Sequence, residues 1–196
     1  MPKRASEENS FEPKVSSFAK TLQGELFIDV GANIGQYVSL LQENFRKILA
    51  IEADPAICQC LKRLCPRNCE VVNAAAADIL GYAELARNPD NLIDGASIME
   101  EKGITVRKIP LSSIIREQNV DLVKVDVEGA EWLVLRGAEQ VMDKIRAWII
   151  ELHDPARKTE LASYMKQYGY ECTWLDEGTQ YTDGYSYPHA YFFRSR

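Results

Sequence analysis

Apolar positions in this chain fall in short unbroken runs rather than in strict alternation, and stretches with helical spacing lie between the runs. The run ELFIDVG (residues 25–31) has strand length and ends in Asp and Gly. IGQYVSLLQENF (34–45) then sets Ile34, Val38 and Leu41 at helical intervals. The succession repeats with KILAIEAD (47–54) before PAICQCLKRL (55–64), then CEVVNAAA (69–76), DLVKVDV (121–127) and RAWIIELHD (146–154). The last of these leads into a helix within RKTELASYMKQYG (157–169). YECTWLD (170–176) and HAYFFRSR (189–196) are joined by a polar loop without a helix, which predicts an antiparallel hairpin. Continuously apolar strands separated by helices predict a parallel sheet covered on both faces, since one-sided burial would alternate. The predicted fold is a doubly wound α/β sheet, with 1–23 as an N-terminal arm and 24–196 as one domain. A chain of 196 residues holds one substantial core.

Ligands of such sheets bind beyond the carboxyl ends of the strands. Asp29, Glu52, Asp126 and Glu151 each stand at or near such an end, and acids buried there without partners are costly, so their recurrence predicts a shared polar pocket. Gly31 and Gly35 shape the first strand-to-helix turn, D-x-G-x-N-x-G. This is neither the dinucleotide fingerprint nor a phosphate-binding Walker loop, and absent side chains there let backbone N–H groups approach a ligand. Glu52 lies 21 residues beyond Gly31, where a carboxylate takes both hydroxyls of a ribose. Ala74 to Ala77 leave room for a flat purine, with Asn73 and Asp78 at its edge; a plain helix-to-sheet contact explains the alanines equally well.

Bulk composition narrows the partners. The net charge of −6 argues against a nucleic-acid-backbone binder. No run is long enough to span a bilayer and the N-terminus lacks a signal-peptide core, so a cytoplasmic protein is expected. The spacing of Cys58, Cys60, Cys65 and Cys69 lacks the paired C-x2-C knuckles of zinc sites, so reduced thiols are expected, with Cys172 far away.

FIDVGANIGQY, IEADP, DLVKVDVEGAEWLVLRGA and IIELHD, in this order, resemble the FkbM family of S-adenosylmethionine-dependent methyltransferases, from about residue 25 to the C-terminus. The K-x-D-x-E-G-A-E block with L-R-G-A is the most specific part. The resemblance implies a seven-stranded Rossmann-like class I methyltransferase sheet of order 3-2-1-4-5-7-6 with strand 7 antiparallel. It also implies S-adenosyl-L-methionine as cofactor and an acceptor hydroxyl on a sugar, glycan or other small molecule. Expected cofactor contacts are Asp29, Gly31, Asn33, Gly35, Glu52, Ala53, Asn73, Ala75 and Asp126. The chain is short for the family ahead of its first strand, and Ser97, in a loop within the long insert, is placed facing the cofactor.

Methyl transfer to a neutral hydroxyl needs in-line geometry and a proton acceptor. Asp126, Glu128 and His153 are the expected catalytic residues: Asp126 at the cofactor edge, Glu128 at the acceptor mouth, His153 at the end of the fifth strand. Glu131 is assigned to the dipole at the start of a helix whose stripe is Val134, Ala138, Val141 and Ile145, weakened by Gly137. His189 is expected to pack or cap. An oxygen-rich metal site from Asp126, Glu128, His153 and Asp154 is weighed, but no spacing rule supports it and no metal is assigned. Alternatives are a non-catalytic nucleotide-binding module of the same fold and an RNA methyltransferase. The aromatic segment TDGYSYPHAYFF (182–193) lines an acceptor site, packs the hairpin or forms a homodimer interface.

Overall fold

A computed structural model describes residues 12–86, 97–99, 103–180 and 185–195. The elements are α1 (Pro13–Ala19), β1 (Gly24–Val30), α2 (Gln36–Leu41), β2 (Phe45–Glu52), α3 (Pro55–Leu64), β3 (Cys69–Asn73) and β4 (Ala75–Ala76). They continue as β5 (Gly81–Ala86), β6 (Ser97–Met99), β7 (Ile104–Ile109), α4 (Leu111–Ile115), β8 (Leu122–Val125), α5 (Glu131–Ala138), β9 (Ala147–Glu151) and α6 (Lys158–Gln167). The chain closes with β10 (Glu171–Asp176), β11 (Thr179–Gln180), β12 (Tyr185–Ser186) and β13 (His189–Phe193). The side chain of Ser97 lies outside the described residues, as do 181–184 of the aromatic segment.

Seven strands form the main sheet in the order β3-β2-β1-β8-β9-β13-β10. Neighbours from β3 to β9 run parallel, and β13 is antiparallel to both β9 and β10. This is the expected order 3-2-1-4-5-7-6. The switch point lies between β1 and β8, where neighbouring crossovers leave in opposite directions and open a crevice. The central strands bury both faces, while the edge strands β3 and β10 are partly exposed. Phe27, Leu122 and Ile149 pack with Val15 and Ala19 of α1 and Val38 and Leu41 of α2. On the other side Ile28, Val123 and Ile150 pack with Val134 and Leu135 of α5 and Leu161 and Met165 of α6. Val15 and Ala19 are buried, so part of the expected arm is a core-forming helix.

A second sheet, β4-β7-β5-β6, occupies the insert that the strand count passed over. β5 and β7 are partly buried and mixed in polarity, and β4 is only two residues long, so neither run length nor periodicity marks the sheet strongly. Ala75, Leu85 and Val106 form its small core. The stripe Val134, Ala138, Val141 and Ile145 is buried as expected, although the chain tightens into a 3-10 turn over Glu139–Lys144. Gly137 has a packing reason: a Cβ there would lie 2.0 Å from the Ala77 carbonyl oxygen, so α5 rests directly on the backbone that follows β4.

Candidate functional site

A cleft of about 680 Å³, counting its open mouth, lies at the carboxyl ends of β1, β2 and β8. Gly31, Asn33, Glu52, Ala53, Ala75 and Asp126 line it, together with Ile57, Ala74, Ala76 and Leu85 on the apolar side and Glu128 at one end.

The glycine turn works differently from the sequence expectation. Gly31 has φ 78, and a Cβ there would stand 1.7 Å from the Asp126 carbonyl oxygen, so glycine lets β1 and β8 meet beneath the cleft. The N–H groups of Gly31 and Ala32 both donate to the Ile51 carbonyl at 3.0 Å, and that of Asn33 donates to Glu52 Oε2 at 2.8 Å. These donors are spent inside the protein. Gly35, at φ 90, does not line the cleft; it precedes α2, where a Cβ would meet Leu61 Cδ1 at 2.6 Å.

Glu52 closes β2 with its carboxylate fixed at both oxygens, Oε2 by Asn33 and Oε1 by the Asp54 N–H at 2.8 Å. Asp54 caps α3 through Ala56 and Ile57, and Pro55 starts that helix, so the sequence EADP is a rigid mount for the acid. Burial raises the Glu52 carboxyl above its usual range, against the lowering effect of those backbone bonds. Asn73 stands off the cleft wall: its side chain donates to the carbonyls of Glu52 and Ala53 at 2.8 and 2.9 Å and braces the mount from behind.

At the other end the expected catalytic residues come together around one imidazole. His153 Nε2 is 3.2 Å from Glu128 Oε2 and 3.9 Å from Asp126 Oδ1. Its Nδ1 is 2.7 Å from Glu131 Oε1, which also accepts the Gly129 N–H at 2.9 Å. Glu131 begins α5 as expected, but at 2% exposure it is chiefly the buried partner of His153, so the dipole assignment is corrected. Glu128 and Gly129 both have positive φ, 50 and 94, and this turn presents the half-exposed Glu128 carboxylate at the mouth. The Tyr187 ring covers His153 at 4.4 Å between centroids. Asp154 takes no part in the cluster; it accepts the Ala156 N–H, and Glu151 stands in its place beside Asp126 and His153.

Charges beneath this cluster are buried in a row. Asp29 of β1 pairs in register with Lys124 of β8, whose ammonium is 3% exposed, 3.0 Å from Asp126 Oδ2 and 4.5 Å above the centre of the Tyr37 ring. Burial would lower Lys124, but the charges of Asp126, Asp29 and Glu12 raise it. Burial pushes Asp29 up to about 7 even beside Lys124, and neither of its oxygens has a hydrogen-bond partner. Asp29 does not itself reach the cleft. Asp126 is lowered: burial works the other way, and the Lys124 charge and hydrogen bond outweigh it. Burial, then the Asp126 charge, push Glu151 up to about 9. Burial alone would lower His153, yet its bonds to Glu128 and Glu131 push it up to about 10, so the ligand-free protein holds it as an imidazolium. A base role for His153 does not fit that state.

Sequence reasoning included Lys124, Tyr37 and Tyr187 in the stretches it singled out but gave none of them a role of its own. Lys124 alone carried a signal, since a lysine inside the apolar run LVKV demands a buried acid.

Comparison with known proteins gives the class. The Methyltransferase FkbM domain family matches residues 29–172. The chain belongs to that family. Among solved structures, it is similar to the methyltransferase FkbM from Methylobacillus flagellatus KT, with TM-score 0.62 and 19% identity over 89% of this chain. It spans only 47% of that longer protein. An rRNA methylase from Streptococcus thermophilus aligns with TM-score 0.61 at 12% identity, covering 100% of this chain and 99% of its own. TrmK of M. capricolum, in complex with S-adenosyl-homocysteine, aligns with TM-score 0.55 at 13% identity, covering 95% and 70%. At such identities these likenesses establish the fold. No curated protein matches the chain. No helix among the described residues is long and apolar enough to cross a membrane.

Proposed function

We propose that this methyltransferase-family chain uses S-adenosyl-L-methionine to methylate a hydroxyl of a sugar, glycan or other small molecule. The observation that carries the reading is a single cleft lined by Glu52, Asp126 and Glu128, with His153 off its wall, 3.2 Å from Glu128 and 3.9 Å from Asp126. The residues present fit the cofactor. Glu52 keeps unshared lone pairs for two ribose hydroxyls, since each of its oxygens accepts one backbone N–H and can accept again. Ala53, Ile57, Ala74, Ala75 and Leu85 offer an apolar wall to a purine.

S-adenosylmethionine, when bound, supplies an electrophilic methyl on a sulfonium. The chain's own work is to orient the acceptor and take its proton. Glu128 is the base: it is the exposed carboxylate of the cluster, and His153, held by Glu131, keeps it aimed at the mouth. The bound cofactor would give up its methyl by breaking the carbon–sulfur bond and leave as the neutral thioether, and Glu128 would take the acceptor's hydroxyl proton. His153 gives hydrogen-bond support rather than proton abstraction. Asp126, kept ionised by Lys124, holds negative charge at the β8 end near the transferring group. The same carboxylates make a poor mouth for a phosphate backbone, which favours a small-molecule acceptor over RNA.

Calorimetry with S-adenosylhomocysteine and with NAD tests the cofactor. S-adenosylhomocysteine is expected to bind, and Glu52→Ala to weaken it at least tenfold, which is about 1.4 kcal/mol. Binding of NAD alone would overturn the reading. A labelled-methyl assay over hydroxyl compounds and RNA tests the acceptor: Glu128→Gln is expected to lower kcat about 10²–10⁴-fold with S-adenosylhomocysteine affinity intact. Methylation confined to RNA would refute the acceptor assignment, and binding without turnover on any acceptor would favour a non-catalytic module.

A further inference from the structure

On the sheet face covered by α1 and α2, a second group of charged side chains stands behind the His153 cluster. His189 opens β13 directly opposite Glu151 of β9, and it is 1% exposed. Its Nδ1 lies 3.1 Å from the Tyr187 carbonyl oxygen, which can only accept, so Nδ1 carries a hydrogen. In the neutral ring Nε2 then keeps its lone pair. That Nε2 has no hydrogen-bond partner, yet it faces Glu12 Oε2 at 3.3 Å and Glu151 Oε2 at 3.6 Å. Glu12 reaches the spot from the residue just ahead of α1, in a left-handed backbone conformation (φ 45), with the Tyr37 hydroxyl donating to its Oε2 at 2.6 Å. An unpartnered Nε2 beside two carboxyl oxygens is a donor set that a cation can bridge.

We propose that Glu12, Glu151 and His189 bind a divalent transition-metal ion that ties the segment ahead of α1 to the end of the sheet. Metal–ligand bonds of about 2.0–2.2 Å in tetrahedral array put neighbouring ligand atoms roughly 3.3–3.6 Å apart. The separations from Nε2 fall there, and the three ligand atoms all lie within 4.8 Å of one another. One imidazole with two carboxylates suits Mn2+ or Zn2+ better than Mg2+ or Ca2+, which favour all-oxygen sets. The Tyr187 carbonyl and the Tyr37 hydroxyl supply outer hydrogen bonds that orient His189 and Glu12. Lys124 opposes a second cation nearby, but it pairs with Asp126, and Asp29, Glu12 and Glu151 add three further carboxyls around it. Asp126, Glu151 and His153 also come within 4.8 Å, but Glu131 and Glu128 already engage both nitrogens of His153. The ion therefore belongs to His189.

The site does not depend on the methyl-transfer reading. Chelator-treated full-length protein titrated by calorimetry with Mn2+ or Zn2+, with Mg2+ as a control, tests it. One ion per chain is expected, bound far more tightly than Mg2+. His189→Gln should abolish this binding and Glu12→Gln weaken it at least tenfold, while His153→Gln leaves it unchanged. Glu12 lies outside the sheet, so Glu12→Gln keeps the test decisive if His189→Gln fails to fold. Absence of Mn2+ and Zn2+ binding to the wild type, or loss of binding in His153→Gln with Glu12→Gln unaffected, would overturn the assignment. S-adenosylhomocysteine affinity, measured on the same samples, reports separately on the cleft.

Discussion

At the residue scale, His153 holds its proton through two carboxylates, Glu131 at Nδ1 and Glu128 at Nε2. The folded protein keeps that proton up to about 10, whereas an unfolded chain releases it near 6.5. Between those values the native state binds more protons than the unfolded one, so this group's stabilisation is complete below about 6.5 and is lost as pH rises through about 10. Thermal unfolding in chelating buffer should give a Tm that falls from pH 7 to pH 10. Glu131→Gln should flatten that fall, because it removes one of the two bonds holding the proton; an unchanged slope would count against the assignment. Sequence reading placed His153, Asp126 and Glu128 at the ends of adjacent strands, and the fold brings them together. It could not show that Glu131, 22 residues from His153, turns inward, since a first-turn acid reads the same whether it faces solvent or an imidazole.

At the element scale, the two turns that frame the cleft use positive φ for different ends. At Gly31 the β1 and β8 backbones touch; at Gly129 nothing lies within 4 Å of an added Cβ, and the glycine only completes the turn. Gly129→Ala should therefore cost about 1–2 kcal/mol of conformational strain. Gly31→Ala should add a steric overlap that β8 can relieve only by moving Asp126. S-adenosylhomocysteine titrations are expected to show a loss above tenfold for Gly31→Ala and little change for Gly129→Ala; equal effects would mean the close approach is unimportant. The main-sheet strands and α3 were legible because their apolar runs are long, and Asp54 with Pro55 marks a helix start without tertiary help. The small sheet was not, because strands such as GYAELA and ITVRKI bury only one or two side chains each and are held mainly by pairing with one another.

At the scale of the whole molecule, the sheet separates two cores, and α1 closes the one containing Phe27, Leu41 and Ile149. Val15 is 1% exposed within it, and Phe18 meets Tyr191 of β13 edge-on at 4.7 Å. Calorimetric unfolding of Val15→Ala should show a loss of about 1–3 kcal/mol. A silent substitution would mean that α1 is only loosely attached. Lys124 and Asp29 belong to this scale too, as charges accepted inside the fold because each neighbouring strand brings a counter-charge in register.

Gly137 joins the scales. Its missing side chain lets α5 bear directly on Ala77, at the end of the alanine run whose first three members line the cleft. The N-terminal residue of the same helix is Glu131, which holds His153. With no side chain between them, helix and wall meet backbone to backbone. The cleft's alanine wall is thus one backbone contact away from the helix whose first residue steadies His153.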